Sequence, residues 1–105
     1  MTVTSKTLYR GNASTDVNTD VYTVPSTSTT TVITNIAVNN SGSSSATFTI
    51  KMDSFDIHTA TPIAANTTVY IDCKQVLQAN ATPKKIKAGA SSANVIFHFA
   101  GVEIV

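Results

Sequence analysis

Charged side chains are scarce in this sequence. Lys, Arg, Asp and Glu make up 12% of the 105 residues, and the formal net charge is +1, whereas about 25% charged residues is usual for a soluble domain. So small a net charge produces no long-range field that would attract nucleic acid or an anionic membrane. We therefore predict no nucleic-acid and no membrane partner, and a surface built mainly of hydroxyl and amide groups.

Cysteine is nearly absent as well. The single cysteine, Cys73, excludes an intramolecular disulfide, and no zinc-ligand spacing surrounds it. In TVYIDCK its phase with Val69 and Ile71 places the thiol on the apolar face, so we predict a buried, unreactive cysteine. The fold must then be held by packing, for which the 42% of apolar residues are sufficient.

Long apolar runs are missing too. No run approaches the roughly 18 residues of a membrane helix, and the first residues, MTVTSKTLYRG, contain no apolar core of a signal peptide. These absences predict a chain that is made in the cytoplasm. The length fits one domain, which we place at residues 1–105.

Helical periodicity is also lacking, whereas alternation at two-residue spacing is common. In TTTVITNIAVNN, Val32, Thr34, Ile36 and Val38 share one face, and one of the two faces is predicted to be core. SATFTIKM alternates more strictly, with apolar residues towards the core and polar residues outwards. The predicted core residues are Ala46, Phe48, Ile50 and Met52, and the outward residues are Thr47, Thr49 and Lys51.

Polar turns divide the sequence into short strands. NNSGSSS separates the two alternating segments, which predicts a hairpin from about Thr30 to Met52. VLQANA is expected to form one short helical turn. In the last segment Val102 and Ile104 lie out of phase with Phe97, and a bulge or bend at Gly101 would return both to the core. Other strands are predicted at KTLYR, DVYTV, SFDIH, TTVYIDC and KKIKA.

About eight such strands carry more apolar faces than one sheet can cover. We therefore predict an all-β fold, an antiparallel two-sheet β-sandwich of the jelly-roll or immunoglobulin-like kind.

Residues that could carry chemistry are few and scattered. His58 and His98 are the only histidines, and neither GSSS nor GASS has the strand-turn-helix setting of a nucleophile elbow. DVNTD opens like a calcium loop, but Val21 and Thr27 stand where that loop needs Gly and Glu, so an Asp/Asn turn is favoured. We predict no catalytic residues and no enzymatic activity.

Two further clusters leave alternatives open. Asp56 and His58 in FDIH would share one strand face close to Asp53, which is either part of a metal site or a solvated face; we favour the solvated face and predict no bound metal or cofactor. The lysines of PKKIKAG, Lys84, Lys85 and Lys87, either meet an acidic partner or protect a strand edge from aggregation.

The order of several segments resembles a group of small virion proteins of tailed bacteriophages. These segments are KTLYRG, VYTVP, TTTVITNIAVNNSGSSSATFTI, PIAANTTVYIDCKQVLQAN and FHFAGVEIV. The resemblance covers nearly the whole chain and implies a β-sandwich that decorates the capsid or forms part of the tail, collar or baseplate, usually as a multimer. It implies no active site, and the Lys-rich PKKIKAG departs from the pattern.

These observations predict a non-enzymatic structural protein located in the virion, with a homo-oligomer and other capsid or tail proteins as partners. A neutral surface rich in hydroxyl groups costs little to desolvate, so neighbouring subunits can cover it. The alternative is a carbohydrate- or receptor-binding module of a phage tail, with Tyr9, Tyr22 or Tyr70 as a stacking platform. The candidate interface residues are Leu8, Tyr9, Arg10, Lys84, Lys85, Lys87, Val102 and Glu103.

Overall fold

The computed structural model describes residues 1–72, 74–78 and 84–105. In these residues all regular secondary structure is β-strand, as the predicted all-β fold requires, and there are nine strands where about eight were predicted. The strands are β1 (Val3–Asn12), β2 (Asp20–Thr23), β3 (Thr30–Asn40), β4 (Ala46–Met52), β5 (Phe55–Ile63), β6 (Thr67–Ile71), β7 (Gln75–Leu77), β8 (Lys85–Ala90) and β9 (Val95–Ile104).

The strands form two antiparallel sheets, which confirms the predicted β-sandwich. Sheet A has the order β1-β9-β3-β6, with β7 also paired to β3, and sheet B has the order β2-β8-β4-β5. β6 and β7 both run antiparallel to β3, so together they act as one interrupted strand. No helix in the described part of the chain is long and apolar enough to cross a membrane.

The strand order distinguishes the two predicted kinds of sandwich. The first strand lies beside the last in sheet A, and the second lies beside the last but one in sheet B. This is the arrangement of a jelly roll. In an immunoglobulin-like sandwich the first two strands are neighbours in one sheet, whereas here β1 and β2 lie in different sheets. The fold is therefore a jelly roll.

The core lies between the sheets and is built by the alternating residues of the central strands. All four predicted core residues of β4 are buried. Phe48 of sheet B meets Phe97 of sheet A edge-on, with ring centroids 6.4 Å apart, and Phe97 continues to Phe99 at 5.8 Å. Such pairs add to the stability gained from burying the rings. These three aromatic rings join the two sheets.

The predicted hairpin between β3 and β4 is wrong, because these strands belong to opposite sheets. Asn40, which is 1% exposed, organises the crossing. Its amide group donates to the carbonyl oxygens of Ser44 at 2.9 Å and Ile63 at 3.3 Å, and its Oδ1 accepts from the Gly42 N–H at 3.0 Å. A polar turn can connect two strands of one sheet or of opposite sheets. Its composition alone therefore does not distinguish a hairpin from a crossover.

The two-residue phase of β3 changes within the strand, contrary to the prediction of one continuous core face. Its register shifts between Ile33 and Asn35, so Ile33 is buried before the shift and Ile36 and Val38 are buried after it. A single extra residue in one strand of a pair has this effect. Val32 consequently lies on the outer face of sheet A, beside Val102.

The predicted bulge at Gly101 is also wrong. β9 pairs without interruption through Gly101, and the register shifts lie in its neighbours, between Thr7 and Tyr9 in β1 and between Ile33 and Asn35 in β3. Val102 and Ile104 therefore remain on the outer face and are half-buried.

Two predictions near β7 fall partly outside the described residues. Val76 and Leu77, from the predicted helical turn VLQANA, are in a strand, and the rest of that turn from Ala79 onwards lies outside the described residues. Cys73, predicted to be buried, also lies outside them. Its predicted companions Val69 and Ile71 pack against the core.

Thr49, predicted to face outwards, is only 7% exposed. The register of β5 is irregular beside it, and Ala60 adopts a left-handed backbone conformation with φ 44°. The Ala60 N–H donates to Thr49 Oγ1 at 3.0 Å. The hydroxyl therefore supplies the acceptor that the interrupted strand ladder does not.

We expect Thr49→Ala to lower the free energy of unfolding by about 1–2 kcal/mol, because the Ala60 N–H loses its acceptor. Thr47→Ala, on the same strand and half-buried, is the matched control and should change it by at most about 0.5 kcal/mol. Urea denaturation of both variants measures the difference. Equal effects would show that the Thr49 hydroxyl contributes nothing through this bond.

Candidate interaction surfaces

The eight predicted interface residues are spread over both sheets and the core between them. Leu8 is buried in the core, and Glu103 points between the sheets. The Tyr9 hydroxyl bonds its own strand at the Asn12 carbonyl oxygen, 3.0 Å away. Arg10 and Val102 lie on the outer face of sheet A, and the three lysines lie on or beside β8 of sheet B. They do not form one surface.

Glu103 belongs to a polar network that joins the two sheets. Tyr22 of sheet B donates its hydroxyl proton to Glu103 Oε2 at 2.5 Å, and Lys6 Nζ lies 3.3 Å from Oε1. Thr31, which is fully buried and paired with Glu103 across the sheet, lies 2.8 Å from the Tyr22 hydroxyl. Glu103 is thus used within the molecule, so we no longer count it among interface candidates.

The environment of Tyr22 makes stability depend on alkaline pH. Burial, and then the hydrogen bond to Glu103, raise the pKa of Tyr22 from 10.0 to about 12. A raised pKa means that folding favours the protonated phenol, so the stabilisation is complete below pH 10 and is lost as the pH rises through about 12.

We expect the unfolding free energy of the wild type to fall more steeply than that of Tyr22→Phe between pH 10 and pH 12. Phenylalanine cannot titrate, whereas the other ionisable groups are common to both proteins. Chemical denaturation at several alkaline pH values measures the two slopes. Parallel curves would show that the Tyr22 phenol has the same pKa in the folded and unfolded chains.

The lysines of PKKIKAG are paired with carboxylates of the same chain. Lys85 and Lys87 both contact Asp20, at 2.9 and 2.8 Å, and Lys84 lies 3.6 Å from Asp53. Hydrogen bonds from Lys87 and then Lys85 lower the pKa of Asp20. Exposed pairs of this kind contribute little stability, but the two carboxylates reduce the net charge of the cluster from three positive charges to one. It does not present three unpaired positive charges to an acidic partner.

The predicted face shared by Asp56 and His58 is wrong, because an irregularity in β5 separates them. Asp56 pairs with Lys51 on the outer face of sheet B, with its carboxylate 3.7 Å from Lys51 Nζ. The His58 ring instead packs against Phe48, with ring centroids 5.5 Å apart. Among the described residues, no three His, Cys, Asp or Glu side chains gather to hold a metal ion, and no pocket is found.

The turn at DVNTD has the geometry of an Asx turn, as the sequence predicted. Asp16 Oδ1 accepts from the Asn18 N–H at 2.9 Å, and the Asp16 carbonyl oxygen accepts from the Thr19 N–H at 3.2 Å. Asn18 Oδ1 accepts from Lys51 Nζ at 2.8 Å. Asp16 Oδ1 and Asn18 Oδ1, two of the oxygens that resemble calcium ligands in the sequence, thus accept hydrogen bonds within the chain.

The outer face of sheet A carries an apolar cluster that crosses the sheet. Val102 pairs with Val32, and Val32 pairs on its other side with Val76, so three valines form one row across β9, β3 and β7. Ile104 and Val3 pair in the next row. Val3 and Val76 are 55% and 57% exposed, and the others are half-buried. We call these five residues the valine patch.

One member of the valine patch, Val102, was predicted from the sequence to be an interface residue. Val32 was assigned to one of two possible core faces, and Val76 to a helical turn. The adjacent pair Val32-Ile33 was the available signal, because only one of two consecutive strand residues can face the core. The register shift in β3, which decides between them, depends on pairing with β9.

The three tyrosines lie in three different places. Tyr9 is on β1 at one edge of sheet A, and Tyr70, 74% exposed, is on β6 at the other edge. Three strand spacings, about 14 Å, separate those edges. Tyr22 is engaged between the sheets. The tyrosines therefore do not form a shared stacking platform.

Comparisons with known proteins identify no family for this chain. No protein-family model matches it, and no curated protein matches it. Among solved structures, the chain is similar to part of dimeric latent PorU from Porphyromonas gingivalis, at 12% sequence identity and a TM-score of 0.39. That match covers 97% of this chain but only 9% of the PorU chain.

Proposed function

We propose that this chain is a non-enzymatic structural protein of a tailed-phage virion. It would be assembled on the capsid surface, as a decoration or cement protein, or in the tail, collar or baseplate. The observation that carries the proposal is the valine patch, a row of branched apolar side chains on a solvent-facing sheet. The resemblance of the segments from KTLYRG to FHFAGVEIV supplies the virion context.

The distribution of charge supports assembly through one face. The ion pairs of Asp20 and Lys51 lie on sheet B. On the outer face of sheet A, Arg10 is the one charged strand residue in the described part of the chain. Two further exposed charged residues, Asp72 and Lys74, lie in the interruption between β6 and β7. Covering an apolar face is favourable by about 25 cal/mol per Å². Covering an ionic face requires desolvation of its charges.

The arrangement of tyrosines favours assembly over the carbohydrate-binding alternative. A sugar ring is usually held by aromatic faces that converge on one site. Here Tyr9 and Tyr70 occupy opposite edges of sheet A, and the Tyr22 hydroxyl is bonded to Glu103. We therefore propose the structural role alone.

A reconstitution experiment tests this function. Particles are grown from a phage that lacks this gene, purified protein is added, and bound protein is separated from free protein by gradient sedimentation. We expect binding that saturates at a fixed number of copies per particle, because a structural protein occupies symmetry-related positions. Particles of an unrelated phage are the control.

Absence of binding to the gene-deleted particles would overturn the proposal, provided that the added protein is folded by circular dichroism. Equal binding to unrelated particles would also overturn it, because adsorption through an apolar face would then explain the result.

A further inference from the structure

We propose that the outer face of sheet A is a self-association interface, in which a second copy of this chain covers the valine patch. The inference deepens the structural role proposed above and rests on it, because it names the surface and the partner with which assembly begins. Two copies would meet face to face, each contributing β9, β3 and the strands beside them.

The valine patch is continuous because its members are register partners. Side chains directly opposite each other on antiparallel strands have Cβ atoms about 4.5–5.5 Å apart, and Val102–Val32 and Val32–Val76 are two such pairs. Ile104 and Val3 form another pair next to this row. The five side chains therefore make one surface that a partner can cover as a unit.

The charge of the face permits contact with an identical copy. Arg10, its one charged strand residue in the described part of the chain, is paired across the sheet with His98, whose Nδ1 accepts from Arg10 Nε at 3.1 Å. This pair lies in a different row of the sheet from Val102 and Ile104, which are nearer the end of β9. The five residues of the valine patch carry no charge, so two patches can meet without opposing like charges, whereas two copies of the sheet B face would have to desolvate the ion pairs of Asp20 with Lys85 and Lys87.

The face is large enough for a stable dimer. Four strands at a spacing of about 4.8 Å give a width of about 19 Å, and ten residues at about 3.4 Å give a length of about 34 Å. Contact over the full length of the face, including the row of Arg10 and His98, would therefore cover roughly 650 Å² on each copy, or roughly 1,300 Å² in total. Specific interfaces bury about 1,200–2,000 Å² in total.

A second copy fits this face better than a different protein does. Recognition of a particular partner usually relies on complementary charges, which steer the encounter and reject other proteins. The valine patch has no charged residue that could do so. An interface around a two-fold axis needs only that the same patch be complementary to itself, and two sheets pack readily at about 10 Å.

Sedimentation velocity of the full chain over a wide concentration range tests the inference. We expect the wild type to form a reversible symmetric oligomer. Val102→Lys and Val76→Lys should raise its dissociation constant at least about tenfold, because each places an unpaired charge in an interface that excludes water. Thr47→Lys is the matched control on the outer face of sheet B, and its dissociation constant should remain within about twofold of the wild type.

Val76 is 57% exposed, so its lysine variant should fold even if the Val102 variant does not. Thermal melting monitored by circular dichroism establishes folding for each variant. A wild type that stays monomeric would overturn the inference. An oligomer insensitive to the Val76 substitution, or weakened equally by Thr47→Lys, would also overturn it.

The reconstitution experiment separates this inference from the proposed function. A strict monomer that still saturates gene-deleted particles would reject the self-association interface and retain the structural role, with a different virion protein covering the valine patch. A dimer sensitive to Val76→Lys that never binds particles would retain the interface and reject the virion role.

Discussion

Phe97→Ala is expected to lower the free energy of unfolding by about 3–5 kcal/mol, the range found when a buried aromatic ring is removed from a packed core. Phe97 is fully buried in the central strand β9, and its ring contacts both Phe48 of the opposite sheet and Phe99 of its own. Truncation leaves a cavity between the sheets that neighbouring strands cannot fill without moving. Urea denaturation of the wild type and the variant measures the loss.

Phe55→Ala is the matched control for this prediction. Phe55 is an aromatic residue of the same size at the start of β5, and it is 76% exposed. Its removal should change the unfolding free energy by at most about 0.5 kcal/mol. Similar losses in the two variants would mean that the Phe97 ring is not at the centre of the core.

Gly101→Ala is expected to destabilise the protein by about 1–3 kcal/mol, as overpacking does in other cores. Gly101 lies between β1 and β3, and an added Cβ would run into the Val32 carbonyl oxygen and come within 3.1 Å of Leu8 Cδ1. The backbone φ of Gly101 is not positive, so lack of space makes glycine necessary here. Thermal melting and urea denaturation both report the effect.

Gly11→Ala, in the edge strand β1, provides the comparison. An added Cβ there first meets the Tyr9 hydroxyl at 3.0 Å, and that side chain can move away at the open edge of the sheet. We expect a change of less than about 1 kcal/mol, in either direction. If Gly101→Ala were tolerated as well as Gly11→Ala, the close approach of Val32 would have to relax at little cost.

The parts of the fold that depend on local pattern were predictable from the sequence. The alternation in SATFTIKM placed Ala46, Phe48, Ile50 and Met52 in the core, and all four are buried. Strand order was not predictable in this way. Asn40 and the polar turn after it are compatible with either a hairpin or a crossover. Which of the two forms depends on pairing between strands that are far apart in the sequence.

The register shifts at Thr7–Tyr9, at Ile33–Asn35 and in β5 explain most of the remaining errors. A bulge changes which residues face the core, but its sequence signal is weak when no glycine occupies it. The sequence pointed to Gly101 as the bulged residue, whereas the bulges lie in the strands beside it. The register shift in β3 places Val32 on the outer face of sheet A, and the irregular register of β5 puts Asp56 and His58 on opposite faces of sheet B.

The sequence predicted that the surface contains few charged residues, but it did not predict where the charged and the apolar surface residues lie. Low charge indicated a neutral exterior, and the outer face of sheet A has that character. The pairing of Lys85 and Lys87 with Asp20 joins segments 65 and 67 residues apart, so these ion pairs could not be predicted from the local sequence. Charge is thus concentrated on sheet B and apolar surface on sheet A.

The proposed structural role depends on that separation between an ionic face and an apolar face. A structural protein needs one surface that other subunits cover and another that tolerates water. In the proposed role, other subunits would cover the valine patch of sheet A, whereas the ion pairs on sheet B would stay in contact with water.

Quantitative mass spectrometry of gradient-purified virions is the most direct test of the proposed structural role. It measures how many copies of this chain accompany each copy of the major capsid protein and of the tail proteins. We expect a constant ratio, reproducible between preparations and unchanged by washing at high salt, because apolar burial is little screened by ions. Virions that lack the chain, from infected cells in which it is abundant, would rule out the proposed structural role.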